Sequence, residues 1–231
     1  MKGYSIVIPV YNEEEIIKKN TLALCKYLNK LQTPYEIIIV SNGSNDNTNA
    51  LGIGLRRKNK QVKFYFIPEK GVGKAFKYGV GKAKYSLIIS VDMDLSIDLE
   101  FINRSAKLLK NYDLIIGSKK DHQKRPFYRI LISSAYIYLV KLLFNFDYKD
   151  YSIAAKAYKK EIIKKSINYL SDGTSYVFEL IYYATREKKK IREIDVYCLD
   201  NRKSKFNLII ESKERLIELL SLYLKNLNRT S

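Results

Sequence analysis

The sequence predicts an α/β protein: a mostly parallel central sheet flanked by helices, with amphipathic helices toward the C-terminus. Three observations predict it. Short apolar runs alternate with segments of helical period through the first half of the chain. Those runs are continuously apolar, as strands covered on both faces should be. Polar and glycine residues collect just after each run, where open parallel sheets place their ligands.

The elements follow in order. Residues 5–10 form the first buried strand, and residues 36–40 the second. Asn12 is placed to cap the intervening helix, and Glu13, Glu14 and Glu15 suit its positive end. Ile17, Leu24, Cys25, Leu28 and Leu31 supply its apolar stripe. A polar loop over 41–48 leads to a helix ending near Arg57, then to strand 62–67, helix 74–84, strand 87–91, helix 99–109 and strand 114–116. The β-α-β order implies right-handed crossovers. The second half is less regular. It reads as an apolar helix over 127–146, a short strand over 152–158, helices over 160–170 and 176–187, a strand over 191–198 and an amphipathic helix over 208–227.

The chain has 231 residues, 46% of them hydrophobic, enough for one substantial domain with a real core. No repeat or linker divides it, so a single domain over 1–231 is expected: a ligand-binding half over 1–118 and a second half over 119–231. No leader-like segment precedes the first strand, and Cys25 and Cys198 lack metal-ligand spacing, so a reduced, cytoplasmic protein is expected. The formal charge of +18 calls for an acidic partner such as nucleic acid, anionic lipid or a phosphorylated substrate, or else reflects solubility alone. No nucleic-acid-binding motif is present, and none is expected as partner. The lone His122 reads as a solvated loop residue.

Asp92-Met93-Asp94 is the sharpest chemical feature. It follows the apolar run 87–91, and two carboxylates one residue apart at a strand end can converge on one hard cation such as Mg²⁺ or Mn²⁺. The competing reading has the same two residues capping the next helix. Ordered motifs around the pair settle on a family. Ile6 to Glu14, with Pro9, Tyr11 and Glu13, resembles the opening of glycosyltransferase family 2, which has the GT-A fold. Ser41 to Thr48 resembles that family's second motif, with Ser41 and Asn42 where Asp is usual. Gly71-Val72-Gly73 resembles its Gly-rich loop, Asp92 to Ser96 its metal motif, and Gly117-Ser118-Lys119 its G-S-R. Asp150 and Lys156 fit a D-x-x-x-G-F-K pattern in which Ala154-Ala155 replaces G-F. Glu179 fits an F-x-x-E-L helix, and Arg202 to Phe206 resembles an R-x-S-K-F/L motif. The pattern is most similar to the polyprenyl-phosphate mannosyl- and glucosyltransferases.

The resemblance implies inverting transfer of a hexose from a GDP- or UDP-sugar to a polyprenyl phosphate at the cytosolic membrane face. It implies a divalent metal on Asp92 and Asp94. Donor contacts would come from Pro9, Tyr11, Glu13, Asn42, Gly71, Gly73, Asp92 and Lys119, and charge stabilisation from Arg202 and Lys205. Arg125 and Arg129, in the basic run before the apolar helix, would receive an acceptor phosphate. That helix is expected either on an anionic membrane surface, with Arg129 and Lys141 snorkelling, or in a core or dimer contact; a membrane subunit or a homodimer is a candidate partner of the chain. Two alternatives stand beside it: a family member that extends a glycan, using Asp150 or Glu179 as base, and a non-catalytic member that binds nucleotide or membrane.

Overall fold

The computed structural model describes residues 3–119, 127–198 and 208–227; for 127–130, 208–211 and 226–227 the backbone alone is described. Seven strands form one sheet: β1 (Tyr4–Val10), β2 (Tyr35–Asn42), β3 (Val62–Ile67), β4 (Leu87–Ser90), β5 (Leu114–Lys119), β6 (Lys156–Lys159) and β7 (Ile191–Val196). Their spatial order is β3-β2-β1-β4-β6-β5-β7. All neighbours are parallel except β6, which runs antiparallel to both β4 and β5. The helices are α1 (Ile17–Lys30), α2 (Thr48–Lys58), α3 (Val72–Lys82), α4 (Glu100–Leu108), α5 (Phe127–Phe144), α6 (Lys160–Ser166), α7 (Tyr176–Arg186) and α8 (Leu208–Leu227).

The two faces of the sheet carry separate cores. Ile6, Ile8, Ile37 and Ile39 point to one, with α1, α2 and α4; Val7, Ile38, Val40 and Ile88 point to the other, with α3, α6 and α7. Every residue of β2 is buried, which explains its unbroken apolar run. The outermost strands β3 and β7 each leave two residues exposed, Lys63 and Phe66 on one and Arg192 and Asp195 on the other, as edges can. On the second face an aromatic cluster joins α5 to α7 and α8: the Phe144 ring lies 5.4 Å from Phe178 and from Tyr182, and 5.8 Å from Tyr223.

The predicted capping of α1 by Asn12 is not found. Asn12 adopts a left-handed backbone (φ 53°), and its side-chain carbonyl accepts the Asn45 N–H instead. The helix starts later, at Ile17, with no acidic residue in its first turn. The loop 41–48 outcompetes the cap because it also supplies Ser44 Oγ, Thr48 Oγ1 and Asp46 Oδ2 to the N–H groups of Asn12, Glu13 and Glu14. The antiparallel β6 between β4 and β5 also goes beyond what apolar periodicity revealed, since four residues with no hairpin to a neighbour carry no signal of direction.

Glycine 73 shows how tightly the two halves meet. A Cβ there would lie 2.3 Å from the Ser171 carbonyl oxygen and 2.8 Å from that of Gly173. Both are backbone atoms, so Gly73→Ala must shift a chain segment and should cost about 1–3 kcal/mol. Gly54, inside α2, would place a Cβ within 4 Å of nothing, and Gly54→Ala should gain about 0.5–1 kcal/mol in helix propensity. Thermal melts should therefore shift in opposite directions for the two variants.

Candidate active site

The carboxyl ends of β1, β2, β4 and β5 meet at one edge. Hydrogen bonding between the loop after β1 and the loop after β2 makes them one unit: besides the four contacts above, Glu14 Oε2 accepts the Asn47 N–H, and within the second loop Ser41 Oγ donates to Ser44 Oγ. Tyr11 and Glu13 are half-buried on it. The Lys70 ammonium lies 4.3 Å from the Tyr11 ring centre, an attractive cation–π contact.

Asn42 is buried at the end of β2, and both ends of its amide are engaged. Its Nδ2 donates to the Val10 carbonyl at 2.8 Å, and its Oδ1 accepts the Gly71 N–H at 3.0 Å. The side chain thus ties three strand-end segments together. Gly71 and Gly73 meet the 171–173 segment: the Asp172 carbonyl accepts the Gly73 N–H at 2.9 Å, and the Asp172 carboxylate pairs with Lys77 at 2.7 Å. Close backbone approach is therefore one demonstrable reason for glycine in this loop.

Asp92, Met93 and Asp94 form a turn after β4. The Leu95 N–H donates to the Asp92 carbonyl, and Leu95 takes a left-handed conformation (φ 51°). Met93 is buried in the core, whereas Asp92 is exposed and Asp94 half-buried. Asp94 Oδ1 accepts the Ser96 N–H at 3.0 Å. Neither Asp serves α4. Asp98 does, its Oδ1 accepting the Phe101 N–H at 3.1 Å. The helix-capping reading of Asp92 and Asp94 is thereby excluded.

The Asp92 side chain reaches solvent, yet the cleft walls strip enough water from it to push its pKa up to about 6. Loss of hydration is the first cause and the Asp94 charge the second; Glu13 adds to them, while Lys119 and Lys156 act in the opposite sense. These five groups, from the ends of β1, β4, β5 and β6, therefore share one electrostatic neighbourhood. Asp150 joins it. Burial disfavours its charge, but Lys156, Lys119 and the N–H groups of Ser152 and Ile153 hold its pKa below the ordinary carboxylate range.

Lys156 is the residue that sequence reading undervalued. It is completely buried, and its Nζ donates to the Ile153 carbonyl at 2.5 Å. Burial pushes its pKa down to about 8 against the pull of Asp150, Glu193 and Asp92. A lysine in an otherwise apolar Ala154-Ala155-Lys156-Ala157 run was the available signal.

Glu179 stands apart from this group. It is buried on α7, burial raises its pKa, and its Oε2 accepts the Ser171 N–H at 2.6 Å. Its neighbour along the helix, Tyr176, does feel the Asp92 charge. Arg125, Arg202 and Lys205 lie outside the described residues, as does the side chain of Arg129. Lys141, expected to snorkel, forms an exposed ion pair with Asp147 at 2.7 Å. Among the described residues no three His, Cys, Asp or Glu side chains come together as a metal cluster, and no helix is long and apolar enough to cross a membrane.

Comparison with known proteins identifies the family and the fold. The model of "Glycosyl transferase family 2" matches residues 5–168. Curated relatives include the undecaprenyl-phosphate 4-deoxy-4-formamido-L-arabinose transferases of Yersinia enterocolitica, 28% identical over 73% of this chain and 52% of that protein, and of Pectobacterium atrosepticum, 29% identical over 85% and 59%. The chain thus spans only about half to three-fifths of these relatives' length. Among solved structures, glucosyl-3-phosphoglycerate synthase from Mycobacterium tuberculosis, in complex with Mn²⁺, UDP and phosphoglyceric acid, superposes with a TM-score of 0.75 at 15% identity, covering 96% of this chain and 78% of that one. This likeness carries the fold. With the family match extending from β1 through α6, the chain belongs to glycosyltransferase family 2 and has its GT-A fold.

Proposed function

We propose that the protein transfers a sugar, a hexose in the simplest case, from a nucleoside diphosphate to a polyprenyl phosphate, with inversion at the anomeric carbon, at the cytosolic face of a membrane. The observation that carries the reading is the Asp92–Asp94 turn at the carboxyl end of β4, in one electrostatic neighbourhood with Glu13, Lys119 and Lys156. The acceptor class is supported by the curated relatives, whose names specify undecaprenyl phosphate.

The residues fit a divalent cation. Two carboxylates with like-charge strain offer oxygen ligands, and a Mg²⁺- or Mn²⁺-type site commonly takes only one or two carboxylates and completes its shell with phosphate oxygens and water. When bound there, such an ion supplies Lewis-acid neutralisation of the departing diphosphate. Lys119 adds a fixed cation on the same side. Tyr11 and Lys70 would border the base, and Asn42, with one lone pair of its Oδ1 still open, could accept a base N–H. Pro9, Gly71 and Gly73 would shape that wall, and Arg202 and Lys205 would meet the diphosphate from the segment after β7. Arg125 and Arg129 would hold the acceptor phosphate.

A phosphate acceptor is already anionic and needs no general base, whereas a sugar hydroxyl does. Asp150 is poorly suited as a base, because its cationic neighbours and hydrogen bonds hold it ionised and fixed. Glu179, with its raised pKa, is the better candidate for the glycan-extending alternative. Here both are assigned to positioning. Glu179→Gln should accordingly retain transfer to within about tenfold, whereas loss of a true base costs about 10²–10⁴; initial rates on both acceptor types decide.

Incubation with labelled UDP- and GDP-sugars and undecaprenyl phosphate should give an organic-extractable product. Label confined to glycan or protein would refute the acceptor. Asp94→Asn should abolish that product with the melting temperature nearly unchanged, and excess EDTA should do the same to the native chain.

The raised pKa of Asp92 adds a pH test. Its proton must leave before a cation binds, so Mn²⁺ affinity should be independent of pH well above about 6 and weaken by up to tenfold per unit below it. The Mn²⁺-induced rise in melting temperature should be larger at pH 7.5 than at pH 5.

A further inference from the structure

The helices α5 and α8 pack on each other through their inner faces and leave their outer faces apolar. On α5, Val140 is fully buried and Phe144 meets Tyr223 of α8. The opposite side carries Leu131, Ala135, Tyr138 and Leu142, all exposed. Their i, i+4, i+7, i+11 spacing puts them on one stripe. Tyr138 and Leu142 are 69% and 67% accessible. On α8, Leu219 faces inward, while Leu216, Ile217, Leu220 and Leu224 are exposed within a second stripe, Leu224 at 60%. Seven large apolar side chains thus stand in water on two helices in contact, more than scattered surface residues account for.

The same pair borders the active site. Arg215 of α8 donates from Nε to Thr174 Oγ1, in the segment that touches Gly71 and Gly73. The Tyr136 ring of α5 packs edge-on against Phe178 of α7 at 6.5 Å, and α5 leads in sequence to Asp150, in the neighbourhood of Lys119 and Lys156.

We propose that the outer faces of α5 and α8 together form one docking surface for an anionic lipid bilayer, which seats the cleft at headgroup level. This rests on the polyprenyl-phosphate reading above and names the surface that would present such an acceptor. Charge selects the occupant. The chain carries +18, and in sequence the α5 stripe follows Lys119, Lys120, Lys124 and Arg125. Lys213 and Lys225 are exposed on α8, with Glu214 as an exposed acid beside them. A second copy would bring another +18 against the first, whereas anionic headgroups offer the opposite sign. Apolar stripes of this kind sink to the acyl boundary while flanking lysines remain among headgroups.

The test uses the full chain and two charge-insertion variants, Tyr138→Glu/Leu142→Glu and Leu220→Glu/Leu224→Glu. Co-sedimentation is measured with phosphatidylglycerol-rich vesicles and with pure phosphatidylcholine vesicles. The native chain should partition to the anionic vesicles, and each variant should lose at least about tenfold of that partition at unchanged melting temperature. Should a Glu pair lower the melting temperature, the matching Ser pair replaces it. Both variants should keep transfer to a short-chain, water-soluble prenyl phosphate and lose transfer to vesicle-embedded acceptor. Unaltered partition in either variant overturns the proposal, as does a native dimer that the same variants convert to monomer. If partition depends on both stripes but no prenyl phosphate is ever glycosylated, the docking surface stands and the acceptor assignment falls.

Discussion

The reversed strand β6 is the constraint on which the rest of the site depends. Its register sets Lys156 against Ser90 on β4 and Ile116 on β5. Ser90 lies two residues before Asp92 and Ile116 three before Lys119. A fully buried lysine therefore stands behind the turn that carries the carboxylates, between the two strands whose ends line the cleft. An uncompensated buried cation would be costly. Here the Ile153 carbonyl, Asp150, Glu193 and Asp92 surround it, and burial still pushes its pKa down to about 8. Asp150 is held ionised by the same arrangement. Sheet topology, and not loop composition alone, thus sets the electrostatics of this edge.

The loops obey a second constraint, that polar side chains at the strand ends first satisfy one another. Asn12, Glu14, Ser44, Asp46 and Thr48 bond to backbone N–H groups across the two loops. Buried or half-buried N–H groups need such partners, and meeting that need fixes Tyr11 and Glu13 in place. The residues that read as a ligand motif therefore also build the wall on which a ligand would rest.

Much of this was legible in the sequence. The long, strongly periodic segments gave their helices almost to the residue: 208–227 and 176–187 match α8 and α7 closely. Unbroken apolar runs gave the central strands because burial on both faces leaves no alternation to misread. The misses share one cause, competition from tertiary partners. Asn12 has the chemistry of a helix cap, but loop 41–48 claims it. The direction of β6 depends on which strands flank it, and nothing in its four residues encodes that. Of the site, the Asp92–Asp94 turn was readable, whereas the role of Lys156 as its buried neighbour required the register.

Charge balance ties the cleft to the rest of the molecule. The described neighbourhood holds five carboxylates, Asp92, Asp94, Glu13, Asp150 and Glu193, against three ammonium groups, Lys119, Lys149 and Lys156. Near neutrality that leaves a deficit of two positive charges, although the whole chain carries +18. A nucleoside diphosphate is itself anionic, so it would not enter such a corner alone; a divalent cation both closes the deficit and bridges to its phosphates. The large positive excess then has no role at the carboxylate corner. In sequence, part of it falls in the run Lys120, Lys124, Arg125 and Arg129, which in the proposed reading meets the acceptor phosphate and its membrane. In the proposed reading the donor side would thus be matched by an added ion and the acceptor side by the chain's own cations, a division that would let two phosphorylated substrates be held without pulling both to the same site.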